Sequence, residues 1–207
     1  MAQIDSVNYV ELATEAKRFR EQGIRLNEEL TKIYTRVRDM RKDWYGRRYN
    51  QLTIDFNNLA PTINTITNLV VCSIPDSMET IANNYSFVDR GSKIGDVNHT
   101  DATKMIIMEP TTEESMRFET AGVDECHTSV ISSFTIVLDL MENISNMLYR
   151  LVEVVWISDS SRAYREKYNV LKNEVISAIE NIKMEFDLLM KQTLEDLQRA
   201  ENANTVQ

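Results

Sequence analysis

Near the start of the chain, apolar or small residues recur as Leu12, Ala16, Phe19, Gly23, Leu26, Leu30, Ile33, Val37, Met40 and Trp44, in alternating steps of three and four. That spacing puts all of them on one face and predicts a long helix with a coiled-coil-type seam. Asn8 with Glu11 three residues later reads as a capping box, so the helix is expected from about residue 8 to about 43, roughly 54 Å at ~1.5 Å per residue. After Trp44-Tyr45-Gly46 the pattern resumes with Leu52, Phe56, Leu59, Ile63, Ile66 and Val70, then more loosely with Ile74, Met78, Ile81 and Tyr85. This predicts a second long helix, kinked or interrupted at Pro61 and Pro75 because proline lacks the backbone donor and clashes with the preceding turn. Thr111 with Glu114 is a second candidate capping box. Val130, Phe134, Val137, Met141, Ile144, Leu148, Leu151 and Val155 then carry a third helix to Trp156. Ile157-Ser158-Asp159-Ser160 supplies turn and N-cap residues. Tyr164, Tyr168, Leu171, Val175, Ala178, Ile182, Phe186 and Leu189 carry a fourth helix, with Ile179 flanking the stripe and fraying expected before Asn204.

Between the second and third helices, residues 91–111 lose the period, carry two of the five glycines and end near Pro110. They read as a linker. Its apolar stretch Met105-Ile106-Ile107-Met108 has two readings, an anchor packed on the helices or a strand offered to a partner. The expected organisation is all-α: a helical hairpin over 1–90, a linker over 91–111 and a second hairpin over 112–207.

Composition narrows the function more than the fold. Five Gly and three Pro in 207 residues are too few for a turn-rich β-sandwich or barrel. Twenty-three Lys and Arg against 32 Asp and Glu leave a net charge of −9, which repels nucleic acid and anionic lipid. Apolar runs such as Leu69 to Cys72 are far shorter than the roughly 20 residues of a membrane span. The opening Met-Ala-Gln-Ile-Asp-Ser has neither a basic nor an apolar leader region, so a general-secretory signal peptide is not expected.

Catalytic material is scarce. Cys72, Cys126, His99 and His127 are the only thiols and imidazoles, and no catalytic, cofactor-binding or metal-binding constellation is expected from their spacing. Cys126 and His127 are adjacent on a helix and point about 100° apart. The cysteines read as packed apolar groups, with a disulfide or redox role as the alternative. The basic cluster Arg36, Arg38, Arg41, Lys42, Arg47 and Arg48 complements a helix C-terminus, or alternatively docks an acidic partner. The ten methionines, Met184 among them, read as core filling or as an adaptable partner surface.

The two tryptophans stand 112 residues apart, each between two long helices. Sliding the chain by that offset pairs Phe56 with Tyr168, Leu59 with Leu171, Ile63 with Val175, Ile66 with Ala178, Val70 with Ile182, Ile74 with Phe186 and Met78 with Met190. A duplicated hairpin explains this register; two unrelated hairpins of coincident phase remain the alternative. Trp44-Tyr45-Gly46, and Trp156-Ile157-Ser158 followed by Ala163-Tyr164, resemble the turn of the WXG family, the early-secreted-antigen type of helical hairpins exported by type VII secretion systems. Tyr85-Ser86-Phe87-Val88-Asp89, 41 residues after Trp44, matches the family's Y-x-x-x-[DE] tail. In the second unit Leu197 replaces the tyrosine and Glu201 keeps the carboxylate, so only one tail is complete. The resemblance covers roughly residues 5–90 and 112–203.

Family members pair as antiparallel hairpins and join the Trp turn of one to the tail of the other as an export signal. Carried over, that implies a four-helix bundle in one chain, a fused pseudo-dimer, with Trp156 and Ser158 near Tyr85 and Asp89, and Trp44 and Gly46 facing Leu197 and Glu201. Residues 90 and 112 would then lie about 54 Å apart, within the ~66–72 Å reach of about 20 extended residues. A domain-swapped homodimer satisfies the same contacts. The resemblance implies a non-enzymatic secretion substrate or targeting partner, cytoplasmic before export and then secreted or at the cell surface. Its partners would be the type VII secretion motor and a helical effector or WXG-like protein. The alternative is a cytoplasmic helical scaffold, adaptor or chaperone-like partner of a helical effector.

Overall fold

The computed structural model describes residues 4–112 and 115–205. It is all-α apart from two short ribbons. Helix α1 (Tyr9–Asp39) ends in a 3₁₀ turn, Met40–Lys42, and returns through α2 (Arg47–Asn68), a π turn at Leu69–Ser73, and α3 (Ile74–Arg90). Helix α4 (Thr120–Arg150) ends in a second π turn, Leu151–Val155, and α5 (Asp159–Thr205) returns beside it. Strand β1 (Ile4–Val7) pairs antiparallel with β4 (Trp156–Ser158), and β2 (Trp44–Tyr45) pairs antiparallel with β3 (Arg117–Phe118). The hairpins lie antiparallel, α1 against α3 and α4, and α5 against α2 and α4. Every residue of the first helical stripe, from Leu12 to Trp44, is buried. No helix among the described residues is long and apolar enough to cross a membrane.

Local chemistry explains the helix ends. The Asn8 side chain accepts the Glu11 amide and donates to the Glu11 carboxylate, closing the expected cap of α1. Ser158 caps α5: its Oγ accepts the Ser161 amide at 3.1 Å, and Ser161 Oγ returns to the Ser158 amide at 3.2 Å. The expected box at Thr111 does not form, since α4 starts at Thr120 and Thr111 instead exchanges hydrogen bonds with Asn50. Glu114 lies outside the described residues, as do Met1 to Gln3 of the opening stretch.

Helix α2 is not interrupted at Pro61, while the interruption before Pro75 is present. There the Ile74 amide reaches back five residues to Leu69, and Pro75 falls in the first turn of α3, where its missing donor costs nothing. Helix α1 approaches this turn closely. A Cβ on Gly23 would lie 2.7 Å from the Val70 carbonyl oxygen, so only glycine fits.

The duplication is visible in three dimensions. Helices α1 and α4 each have 31 residues and are offset by 111. Leu12, Phe19, Leu26, Leu30, Ile33, Val37 and Met40 map by that offset onto Val123, Val130, Val137, Met141, Ile144, Leu148 and Leu151, all buried. The offset grows to 112 at the tryptophans because the second turn holds one more residue. Each N-cap residue donates its amide to the carbonyl just before the other half's tryptophan: Asn8 to Val155 at 3.0 Å, and Glu119 to Asp43 at 2.8 Å.

The linker is an extended strap over residues 91–112, held by side-chain amides. Asn83 binds Ile94 and Gly95, Asn27 binds both backbone groups of Thr103, and Asn64 accepts from Met105. Asn57 and Asn50 bind both backbone groups of Met108 and Thr111. Asn50, Asn57 and Asn64 are spaced by seven, so α2 presents one row of amides to the strap backbone. Met105 and Met108 enter the core, which is the anchor reading, while Ile107 is exposed.

Candidate functional site

The antiparallel hairpins create two ends, each joining a tryptophan turn to the tail of the other hairpin. At one end Trp156 lies beneath the β1–β4 ribbon, paired with Val7. Two residues later Tyr9 donates a hydrogen bond to Asp89, and Arg90 sits over the Tyr9 ring. The Trp156 ring neighbours Tyr164, whose hydroxyl meets Ser77 of α3 at 2.7 Å. The Trp156 turn and Asp89 in the tail of α3 are thus linked through the segment Val7–Tyr9. Tyr85 is half-buried, Asp89 exposed, and Phe87 and Val88 between them are 59% and 87% exposed.

At the other end Trp44 is enclosed by Phe118 (ring centroids 5.4 Å apart, edge-on), Tyr49 (6.3 Å) and Phe186 (6.1 Å, stacked). On α5, Thr193 and Asp196 line the turn, the latter directly before Leu197, and Asp196 accepts from Arg48 at 2.5 Å; that bond holds its carboxyl below the usual range. Glu201 is exposed five residues further along.

Both indoles are buried, at 1% exposure each. They build the turns rather than displaying themselves, so what solvent meets at the Trp156 end is the tail of α3. Gly46 and Ser158, the third positions of the two turns, are buried as well. Gly46 has φ +117°, a conformation that L side chains rarely adopt, and donates its amide to Thr111 Oγ1 at 3.0 Å.

Within the basic cluster, Arg36 donates to Ser133, Arg38 pairs with Asp39, and Arg48, in the first turn of α2, pairs with Asp196. Met184, read as core filling, is exposed on α5, whereas Ile179, read as flanking, is fully buried. The cysteines are unpaired. Burial pushes the Cys126 thiol up to about 12, and its Sγ meets the Arg36 carbonyl, so it is an inert packed group.

A second constellation escaped sequence reasoning. Cys72 and Asp76 stand one turn apart at the start of α3, and the strap lays His99 across them. Burial and the neighbouring Asp76 carboxylate raise the Cys72 thiol, the opposite of an activated nucleophile. The i, i+4 spacing of Cys72 and Asp76 was a signal, but His99 is 23 residues beyond Asp76, and only the course of the strap unites them.

No family model, no curated protein and no solved structure matches this chain.

Proposed function

We propose that this chain is a non-enzymatic type VII secretion substrate or secretion-targeting partner, built as two WXG-like hairpins fused into one bundle. The observation that carries the reading is the link from Trp156 through its ribbon partner Val7 and then Tyr9 to Asp89 in the tail of α3, which supports the composite that the family resemblance implies. The buried indole sets the turn, the ribbon fixes Tyr9, and Tyr9 holds Asp89 at the end of α3. The recognised surface is then Tyr85, Phe87, Val88 and Asp89, a helix end offering an aromatic ring, two apolar groups and a carboxylate. The opposite end, with its complete Trp turn but no tyrosine tail, serves assembly.

Export into culture medium, compared between cells with and without the secretion motor, tests this. Tyr85→Ala and Asp89→Ala should each abolish motor-dependent export while leaving helix content unchanged by circular dichroism. Tyr9→Phe breaks the same hydrogen bond from the structural side and should export normally. Normal export of the Asp89→Ala chain, or retention of the parent chain in motor-bearing cells, overturns the proposal; retention is the outcome a cytoplasmic scaffold predicts.

A further inference from the structure

Cys72, Asp76 and His99 present one sulfur, one oxygen and one nitrogen to a common point, all within 4.8 Å of one another. Cys72 Sγ lies 3.5 Å from His99 Nδ1 and 3.6 Å from Asp76 Oδ2. A tetrahedral zinc with its usual bond lengths needs about 3.5 Å between a sulfur and a nitrogen or oxygen ligand, and about 3.3 Å between nitrogen and oxygen. The sulfur distances already fit. His99 Nδ1 and Asp76 Oδ2, now hydrogen-bonded at 2.6 Å, need to part by roughly 0.7 Å. His99 is more than half exposed on the strap, so it is free to make that movement and leaves a path for the ion.

The surroundings complete the arrangement. Asp76 uses its other oxygen, Oδ1, to accept from Arg20 at 2.7 Å, which fixes the carboxylate and leaves Oδ2 for the ion. The Arg20 charge is answered by Glu79, which accepts from it at 2.8 and 3.0 Å, so the guanidinium does not leave the site cationic. His99 Nε2 lies 3.3 Å from Asp101 Oδ1, the carboxylate–imidazole contact that orients a histidine ligand.

We infer that Cys72, Asp76 and His99 form a divalent-metal site of zinc chemistry, open at its fourth position, which fastens the strap to the start of α3. On binding, Zn–Sγ, Zn–Oδ2 and Zn–Nδ1 bonds form. The Cys72 thiol and the His99 Nδ1, which carries the proton now shared with Asp76 Oδ2, each give that proton to solvent, and the neutral imidazole keeps its remaining proton on Nε2, hydrogen-bonded to Asp101. Two anionic ligands balance the charge of the ion. Both cysteine and histidine favour a borderline metal over magnesium or calcium. This inference is independent of the export reading.

Cobalt titration of the full-length, reduced chain tests it, followed by displacement with zinc. One equivalent of cobalt should bind and produce thiolate-to-cobalt charge-transfer absorption together with the intense visible bands of tetrahedral cobalt. Cys72→Ser should abolish the charge-transfer band, whereas Cys126→Ser should leave it intact. His99→Gln, at an exposed strap position that does not threaten the fold, should weaken binding by more than about 100-fold. Asp101→Asn should weaken it by about 10-fold. No cobalt binding by the parent chain, a charge-transfer band that persists in Cys72→Ser, or unchanged affinity in His99→Gln would each overturn the site.

Discussion

The two tryptophan turns do one job with different means. Each closes a hairpin, buries its indole, and pairs with the arm that leads into the other hairpin's first helix. The Trp44 turn relies on backbone freedom. Gly46 turns the chain at φ +117°, three aromatic rings enclose the indole, and the strap supplies Thr111 to receive the Gly46 amide. The Trp156 turn relies on side-chain hydrogen bonds. A π turn delivers the tryptophan, and Ser158 and Ser161 satisfy each other's backbone amides. Among the described residues, one ring, Tyr164, accompanies Trp156, and the Trp156 indole Nε1 is buried without a hydrogen-bond partner. The small residue of the motif is thus a requirement of the path taken after the tryptophan, and two different chemistries meet it.

The comparison breaks most directly at the indoles. Trp44→Ala should cost about 3–5 kcal/mol, the range for removing a large buried aromatic. Trp156→Phe should cost clearly less than Trp44→Phe, because it also removes an unsatisfied donor. Urea unfolding of the three single variants reads the difference, and equal costs for the two phenylalanine variants would dissolve the distinction.

Exchanging the third positions sharpens it. Gly46→Ser imposes a side chain on a glycine-only conformation and should destabilise by about 1–3 kcal/mol. Ser158→Gly loses one cap and should cost only a few tenths of a kcal/mol. Thermal melts of both variants check the asymmetry, which fails if the two shifts match.

The smallest effect concerns pH. Glu29 on α1 accepts from Ser133 on α4, and its counterpart by the 111-residue offset is the apolar Leu140. Burial opposes ionisation of Glu29, but the bonds from Ser133 and Lys32 outweigh it and hold the carboxyl below its usual value. A lowered folded-state pKa contributes stability above about pH 4.3 that is lost as pH falls through the folded value. Urea midpoints from pH 7 down to 3 should therefore fall more for the parent than for Glu29→Gln. Parallel curves would remove Glu29 from the acid response.

Much of this was written in the three-four spacing. The stripe from Leu12 to Trp44 marks one buried face without a miss, and the 112-residue separation of the tryptophans announced two hairpins. Three things were not legible, each for a physical reason. The extra residue in the second turn hides the better 111-residue match of α1 with α4, because a rigid offset cannot follow a π turn. The strap carries no period of its own; its order comes from Asn50, Asn57 and Asn64, polar residues on a helix that an apolar reading passes over. The meeting of His99 with Cys72 and Asp76 follows from that strap alone. The place of Asp196 at the Trp44 end depends on how α5 packs beside that turn.

The crossed pairing of arms and turns also sets an order of events during synthesis. The arm at Ile4–Val7 leaves the ribosome well before its ribbon partner, Trp156–Ser158, which emerges about 150 residues later. At the usual ~5–20 residues per second that is a wait of roughly 8–30 s. Once α3 is made, the first hairpin holds an uncovered seam and an unpaired edge until the second arrives. The chain therefore completes itself late and all at once, and whatever engages it before then meets a half-built molecule.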